Sequence, residues 1–424
     1  MSNELIVNFD LVILSNAPGE VATWVRPVVR CLRQQLGRLN ERVRISVLLS
    51  PCPHSTGKEA EIALNYPEVD RVLSPDSFFS FLLWGKTPNN WQWCDRGMVV
   101  FLGGDQFYTV AISKRLNYSS LIYAEWEARW YRFIDRFAVA DRRVLDRVPQ
   151  AYRQKFSIVG DLMADTALEV EDRKIEKENY KIGLLVGSKP AKLSQGVPLC
   201  IAIAESLASK LTEVTFIIPL APTLDLTALS KYAKRKTNPL VAVMGNVEGD
   251  LITSGGNNYL ITSGGVKIKI LTKFPAYQDL VECQLCLTTV GANTAELTSL
   301  AVPMIVLLPT QQLDAMRSWD GLPGILANLP GVGTILAKLI NWLILKQGRL
   351  FAWPNIWAGR EIVPELVGRL EAENVANLVC DFLENPLKLQ TAIDNLIEVR
   401  GQTGAVKYIA DIIKQDIKNF ASKD

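Results

Sequence analysis

Short apolar runs alternate with stretches of helical, amphipathic spacing through the first half of the chain. Leu11–Ser15 (LVILS) has the apolar density of a strand buried on both faces. Asn16-Ala17-Pro18-Gly19-Glu20 follows it and leads into a helix predicted to run to about Leu36. Ile45–Leu49, Met98–Leu102, Leu121–Tyr123 and Phe137–Ala140 read as further strands. Strands that alternate with helices predict βαβ units and a parallel sheet. A charged stretch, Glu169–Lys181 (EVEDRKIEKENYK), then breaks the apolar pattern and predicts a linker over 169–180. The pattern restarts at Lys181–Val186 (KIGLLV), opens on Gly187-Ser188-Lys189 and continues into a helix over about Gly196–Leu211. Val214–Pro219, Val266–Ile270, Leu285–Thr289 and Met304–Leu308 are the next strands.

The expected fold class is therefore α/β, with two doubly wound, Rossmann-like halves and a cleft between them. Ligands in such sheets gather at the carboxyl ends of the strands. The first domain is expected over 1–168 and the second over 181–385, with C-terminal helices over 386–424 packing back across the cleft. Within the second half LITSGG occurs at Leu251–Gly256 and again at Leu260–Gly265. Two copies are too few for a solenoid, and Gly-Gly-Asn-Asn between apolar runs predicts a hairpin. Gly321–Lys346 is apolar but broken by Pro323, Pro330 and several glycines, so it is not expected to span a membrane. Its last part, Thr334–Leu345, reads as an amphipathic helix that packs in a core, lies on a bilayer surface or binds acyl chains.

Composition narrows the function classes. The chain has 424 residues, too many for one compact core, and its 48% hydrophobic and 21% charged content is that of a soluble globular protein. Lys+Arg 46 against Asp+Glu 44 gives +2, which removes any global electrostatic case for nucleic acid. Seven scattered cysteines favour a reducing, cytoplasmic compartment, and Cys283-x-x-Cys286 reads as two core-facing thiols. The N-terminal MSNELIVNFD lacks a basic region and a cleavage site and reads as a first strand. A single histidine, His54, excludes any triad or metal site that needs two. It is expected on an exposed loop, where a substrate contact is conceivable.

No Walker sequence and no GxGxxG occurs, so the chemistry has to come from strand-end loops. Asn16–Glu20 closes the first strand with Gly19 and Glu20. Gly103-Gly104-Asp105-Gln106 places Asp105 at a strand's carboxyl end. Gly187-Ser188-Lys189 offers turn residues and a cation. Gly291-Ala292-Asn293-Thr294, before the helix that contains Glu296, offers free N–H groups and a positive helix end for phosphate. Four such loops on two restarted sheets point to a nucleotide-sugar or similar phosphorylated ligand. Phe351–Glu365 (FAWPNIWAGREIVPE) adds Asn355, Arg360, Glu361 and Glu365 beside two tryptophans. With Gly359 just before Arg360, it is predicted as a loop running into a helix that brings N–H groups and a guanidinium to an anion. The alternative is an ordinary capped surface helix.

These residues resemble a known family. Pro354–Leu366 (PNIWAGREIVPEL) is similar to the late motif of the bacterial lipid-A-disaccharide synthases, two-domain glycosyltransferases of the GT-B type. Ala17-Pro18-Gly19-Glu20 resembles the family's early Gly-Glu loop, and Gly103–Phe107 its Gly/Asp/Phe loop, which makes Asp105 the match to the proposed catalytic aspartate. Val159–Asp165 resembles a Gly-x-x-Met-Ala-Asp segment with Asp161 where a histidine is usual, and Gly291–Glu296 resembles the nucleotide-binding turn. Lys189 stands where the family has arginine, the loop around Asp105 is shorter, and Leu251–Gly265 reads as an insertion.

The resemblance implies an inverting, metal-independent transferase that moves a sugar from a UDP-sugar, such as acylated UDP-glucosamine, to a lipid-linked acceptor. Asp105 would be the base and Gly19 and Glu20 would lie on the acceptor side. Ser188, Lys189, Gly291, Asn293, Thr294, Glu296, Asn355, Arg360 and Glu361 would bind the nucleotide-sugar. No cofactor is expected, peripheral contact with the inner membrane face through Gly321–Lys346 is expected, and a homodimer is compatible. The alternatives are a UDP-sugar epimerase or hydrolase, and a UDP-sugar-binding protein altered in its catalytic residues.

Overall fold

The structure, a computed structural model, describes residues 9–52, 55, 57–170, 179–309 and 349–421. His54, the segment Gly321–Lys346 and the first eight residues lie outside them. The chain divides into two compact units, one of residues 1–168 with 401–424 and the other of residues 169–400.

The first unit is built on β1 (Phe9–Ser15), β2 (Val43–Leu49), β3 (Arg71–Leu73), β4 (Gly97–Phe101), β5 (Ser119–Ala124), β6 (Arg136–Val139) and β7 (Phe156–Ile158). They form one sheet in the order β3-β2-β1-β4-β5-β6-β7, each neighbouring pair parallel. β1 runs through Pro18–Glu20 and a π-helical stretch, Val21–Val25, into α1 (Arg26–Leu36). The other helices of this unit are α2 (Glu59–Leu64), α3 (Pro75–Trp84), α4 (Gln106–Leu116), α5 (Arg142–Asp146) and a C-terminal helix, Ala405–Ala421. Strand periodicity sends Leu11 and Ile13 to one face, against Val29, Leu32, Ile409 and Ile413. Val12 and Leu14 go to the other, against Phe78, Phe81 and Ile122. β3 and β7, three residues each at the sheet edges, are too short to leave a periodic trace in the sequence.

The second unit repeats the plan. Its strands are β8 (Tyr180–Leu185), β9 (Val214–Pro219), β10 (Gly249–Ser254), β11 (Asn257–Thr262), β12 (Lys267–Leu271), β13 (Leu285–Thr289), β14 (Met304–Pro309) and β15 (Glu365–Gly368). They run in the order β10-β11-β12-β9-β8-β13-β14-β15, parallel from β12 to β15. β10 and β11 form the expected hairpin, turning at Gly255 and Gly256 with φ of 57° and 76°. Two consecutive positive φ values are the type I′ geometry that glycine supplies without strain. The helices are α6 (Pro190–Lys210), α7 (Leu226–Tyr232), α8 (Tyr277–Val281), α9 (Ala292–Ser299), α10 (Trp353–Ala358), α11 (Ala372–Leu383) and α12 (Pro386–Val399); the C-terminal helix is α13. The C-terminal helices thus divide, α12 in the second unit and α13 in the first.

α6 begins six residues before the expected Gly196. Pro190 stands in its first turn, where a missing N–H costs nothing. Pro198 lies inside the helix and frees the Ser194 carbonyl, which the buried Asn238 Nδ2 takes at 2.8 Å. Cys283 and Cys286 are both fully buried, as expected of core thiols.

Candidate functional site

In each sheet the chain builds outward from the first strand in one direction and later crosses to its other side, to β4 in the first unit and β13 in the second, which opens a crevice at the carboxyl ends of the two central strands. In the second unit these strands are β8 and β13, and the turns after them are Val186–Lys189 and Val290–Gly291. Gly187 has φ 87° and Gly291 φ 134°, values that a side chain rarely tolerates. A Cβ on Gly187 would lie 3.0 Å from Lys192 Cβ and 3.2 Å from Thr289 Oγ1, and one on Gly291 would lie 2.8 Å from Lys192 Nζ. The structure therefore brings Ser188 and Lys189, at the start of α6, beside Gly291, Asn293 and Thr294 at the start of α9.

Thr294 is fully buried and ties this edge to the next element. Its Oγ1 donates to the Gly291 carbonyl at 2.9 Å and accepts from Trp353 N–H at 3.2 Å. Glu296 follows on α9, partly buried and with no polar partner for its carboxylate among the described residues. Burial pushes its acid up to about 7.

Phe351–Glu365 departs from the expected loop running into a helix at Arg360. The helix comes first: Pro354 stands in its first turn and Gly359, at φ 66°, ends it in the left-handed conformation. Proline just inside the start and glycine just past the end is the normal asymmetry of helix termini. α10 carries the chain about 9 Å from the Thr294 turn. Arg360 and Glu361 are thus exposed at its far end, on the side from which β15 starts, with Arg360 Nη2 3.3 Å from Asn395 Oδ1. Asn355 is fully buried and its amide is consumed by its own segment. Oδ1 accepts from Ile362 and Val363 N–H at 2.7 and 2.9 Å, and Nδ2 donates to the Val363 carbonyl at 2.9 Å and Glu365 Oε1 at 2.7 Å. Asn355 holds this turn in shape and presents no free group to a ligand.

The first unit has its own crevice, after β1 and β4. Gly103 (φ 133°) comes so close to the Pro18–Glu20 turn that a Cβ would lie 3.2 Å from Glu20 Cβ. Gly19, Glu20 and Asp105 are therefore neighbours, although 86 residues separate Gly19 from Asp105. Asp105 is the N-cap of α4: its Oδ1 accepts from Phe107 N–H at 2.9 Å, and the side chain is otherwise exposed.

Sequence reasoning missed two groups at these edges. Glu125, just past β5, has its acid pushed up to about 8, first by burial and then by the nearby Asp161, against a hydrogen bond from Trp126; Glu20 adds to the rise. Its position immediately after a strand is the only trace it leaves in the sequence. Lys192, in the first turn of α6, donates to the Val290 carbonyl at 2.5 Å, and burial and then Lys189 lower its pKa to about 8.

Asp161 belongs to the Val159–Asp165 segment and accepts from Met163 N–H at 2.9 Å; burial, then Asp165, raises its acid. Asp165 accepts from the Gly404 and Val406 N–H groups, so this segment docks the start of α13. Depressions of about 480 Å³ by Arg33 and Arg44 and about 560 Å³ by Lys181 and Lys267 open at the amino ends of the strands, away from both crevices. Among the described residues no group of three or more His, Cys, Asp or Glu could hold a metal, and no helix is long and apolar enough to cross a membrane.

No protein-family pattern matches the sequence. The chain is similar to the lipid-A-disaccharide synthase of a Sulfurihydrogenibium species, 26% identical over 273 residues, 61% of this chain and 59% of that protein. It is 23% identical to that of Persephonella marina over 245 residues, 57% of this chain and 52% of that protein. The matches thus span between half and three-fifths of those relatives. Among solved structures, a Listeria monocytogenes protein described as a UDP-N-acetylglucosamine 2-epimerase superposes with a TM-score of 0.51 over 98% of both chains, at 12% identity. That likeness is one of fold: two doubly wound units in one chain, the GT-B architecture.

Proposed function

We propose that this protein is an inverting glycosyltransferase that moves a sugar from a UDP-sugar, such as acylated UDP-glucosamine, to a lipid-linked acceptor. The observation that carries the reading is the opposite chemistry of the two crevices. In the second unit the β8–β13 edge gathers Lys189, Lys192 and the N-termini of α6 and α9, a setting for a diphosphate. In the first unit the β1–β4 edge and the strand ends beside it carry the carboxylates of Glu20, Asp105, Glu125 and Asp161, a setting for deprotonating a hydroxyl. The similarity to lipid-A-disaccharide synthases supports the donor and acceptor classes.

In the proposed reaction an acceptor hydroxyl oxygen bonds to the anomeric carbon from the face opposite the leaving group. The bond from that carbon to the diphosphate oxygen breaks, and its electron pair leaves with UDP. The hydroxyl proton passes to Asp105, whose helix-cap hydrogen bond fixes one oxygen and leaves the other exposed. Lys189 and the helix N-termini stabilise the charge that builds on UDP, ordinarily the largest electrostatic contribution. Glu296, partly buried and unpaired among the described residues, is suited to accept hydrogen bonds from ribose hydroxyls. An apolar acceptor fits the surface beside Asp105. Phe107, Trp130 and Phe133 are exposed there, Phe107 packs tilted against Trp130 with ring centroids 5.3 Å apart, Lys114 Nζ lies 4.3 Å over Phe133, and Arg129 and Arg132 alternate with them along the chain. Such a surface suits work at the inner face of a membrane.

UDP release is the test, measured with candidate UDP-sugars, with and without lipid acceptor. Release that requires acceptor is expected, and the Asp105→Asn variant should lower turnover at least about a hundredfold. Asparagine caps a helix as well as aspartate does, so this loss would be catalytic and not structural. Conversion of the donor alone would move the reading to an epimerase or hydrolase. UDP binding without turnover would leave a binding protein.

A further inference from the structure

Lys192 is out of place for a structural lysine. It sits in the first turn of α6, where the helix's positive end disfavours a cation, and Lys189 caps the same turn. Among the described residues neither lysine pairs with a carboxylate. Nζ of Lys192 has one acceptor among the described residues, the Val290 carbonyl at 2.5 Å, although an ammonium carries three donors. The amine reaches that carbonyl because Gly187 and Gly291 leave the space: a Cβ at either position would lie 3.0 Å or less from the lysine side chain. A second polar group waits at the same point. Thr289, the last residue of β13, is 8% exposed; its hydroxyl has no hydrogen-bond partner among the described residues and lies against Gly187.

We propose that Lys192 is the cation that receives the donor's diphosphate at the β8–β13 edge, exchanging the Val290 carbonyl for a phosphate oxygen as the nucleotide enters. The proposal rests on the UDP-sugar reading and adds to it the residue that meets the anion first. Lys189, the N-cap residue of the same helix, supplies a second charge. The two loops that flank the lysine, Gly187–Ser188 and Thr289–Gly291, contain nothing that titrates, so Lys189 is the charged group that faces it. With its pKa lowered to about 8 by burial and then Lys189, Lys192 is largely neutral at pH 8.5, and a bound phosphate should return its proton.

Calorimetric titration with UDP at pH 8.5, in two buffers of different ionisation enthalpy, tests this. At that pH the diphosphate of UDP is fully ionised and its uracil N–H is already largely protonated, so substantial proton uptake on binding belongs to the protein. Wild type should bind with uptake on the order of half a proton. The Lys192→Met variant should bind at least about tenfold more weakly with no uptake, while Lys189→Met, which removes the smaller of the two causes that lower the Lys192 pKa, should show a reduced uptake that is still above zero. Equal affinity and equal uptake in wild type and Lys192→Met would overturn the proposal and leave the UDP-sugar reading standing. No binding to wild type at millimolar UDP would sink both. If melting shows Lys192→Met to be unfolded, the proton count of wild type decides, and zero uptake overturns the proposal.

Discussion

Glu125 and Asp10 are carboxylates at opposite ends of one sheet, and their surroundings drive them in opposite directions. Asp10 is fully buried at the start of β1. Burial works against its charge, but Arg44 grips both oxygens at 2.7 and 2.9 Å, and Cys94 N–H and the Tyr118 hydroxyl add bonds at 2.7 and 2.9 Å. Those partners hold it below the usual carboxylate range. Glu125 has burial and the nearby carboxylates of Asp161 and Glu20, so its acid rises from 4.5 to about 8. An acid raised in the folded state stabilises the fold below the unfolded value and loses that contribution as pH rises through the folded one. Wild-type stability should therefore fall between about pH 4.5 and 8 more steeply than that of Glu125→Gln, which has nothing to titrate there. Denaturant unfolding at several pH values across that window checks it. Glu296, also raised, acts in the same sense in both proteins, so the difference between them reports Glu125 together with its coupling to Asp161. Superimposable profiles would mean that Glu125 titrates as an ordinary surface acid and would remove it from any part in proton transfer.

At the scale of elements, α10 and β15 depend on one side chain between them. The Asn355 amide satisfies the Ile362 and Val363 N–H groups and the Val363 carbonyl, and it orients Glu365. The Glu365 carboxylate in turn accepts from Phe351 and Ala352 N–H at 2.9 and 2.8 Å, at the entry to α10. A buried donor or acceptor left unsatisfied costs about 1–3 kcal/mol. Asn355→Ala strands several at once, so a loss of at least about 2 kcal/mol is expected in urea unfolding, read against a wild-type curve of equal slope. A change below about half of that would show that water replaces the amide and that the turn does not need it.

At the scale of the molecule, the chain finishes the second unit at Arg400 and then supplies the last helix of the first. α13 buries Ile409, Ala410, Ile413 and Ile417 in the same core as Leu11, Ile13 and Met98, and Asp165 receives its first turn. Removing 401–424 takes away part of the cover that α13 and α1 together give one face of the first sheet, and leaves the second unit's cores intact. Hydrogen exchange should then show protection lost in β1 and β4 and kept in β8 and β13. Undiminished protection in β1 and β4 would show that the first unit closes its core without α13.

The alternation of apolar runs with helical spacing was enough to read two doubly wound sheets, because buried parallel strands are continuous apolar segments that few other arrangements produce. β9 and β13 fall on the residues expected of them, and the Gly-Gly hairpin needs only local backbone freedom. Short edge strands such as β3, β7 and β15 carry too few residues for a period, and the neighbour that pairs with them decides their form. The start of α10 is legible in Pro354 and its end in Gly359, whereas the charged Arg360 and Glu361 just beyond it suggest a helix start that the structure does not have. The partners of a side chain were beyond the sequence altogether. Glu20 meets Gly103, Asp165 meets Gly404, and Lys192 meets Val290 across separations that only folding closes. Local pattern fixes where strands and turns occur, because it depends on neighbours along the chain. Burial and electrostatic company depend on neighbours in space, and those set which of Glu125, Lys192 and Asn355 can do chemistry and which can only hold the fold.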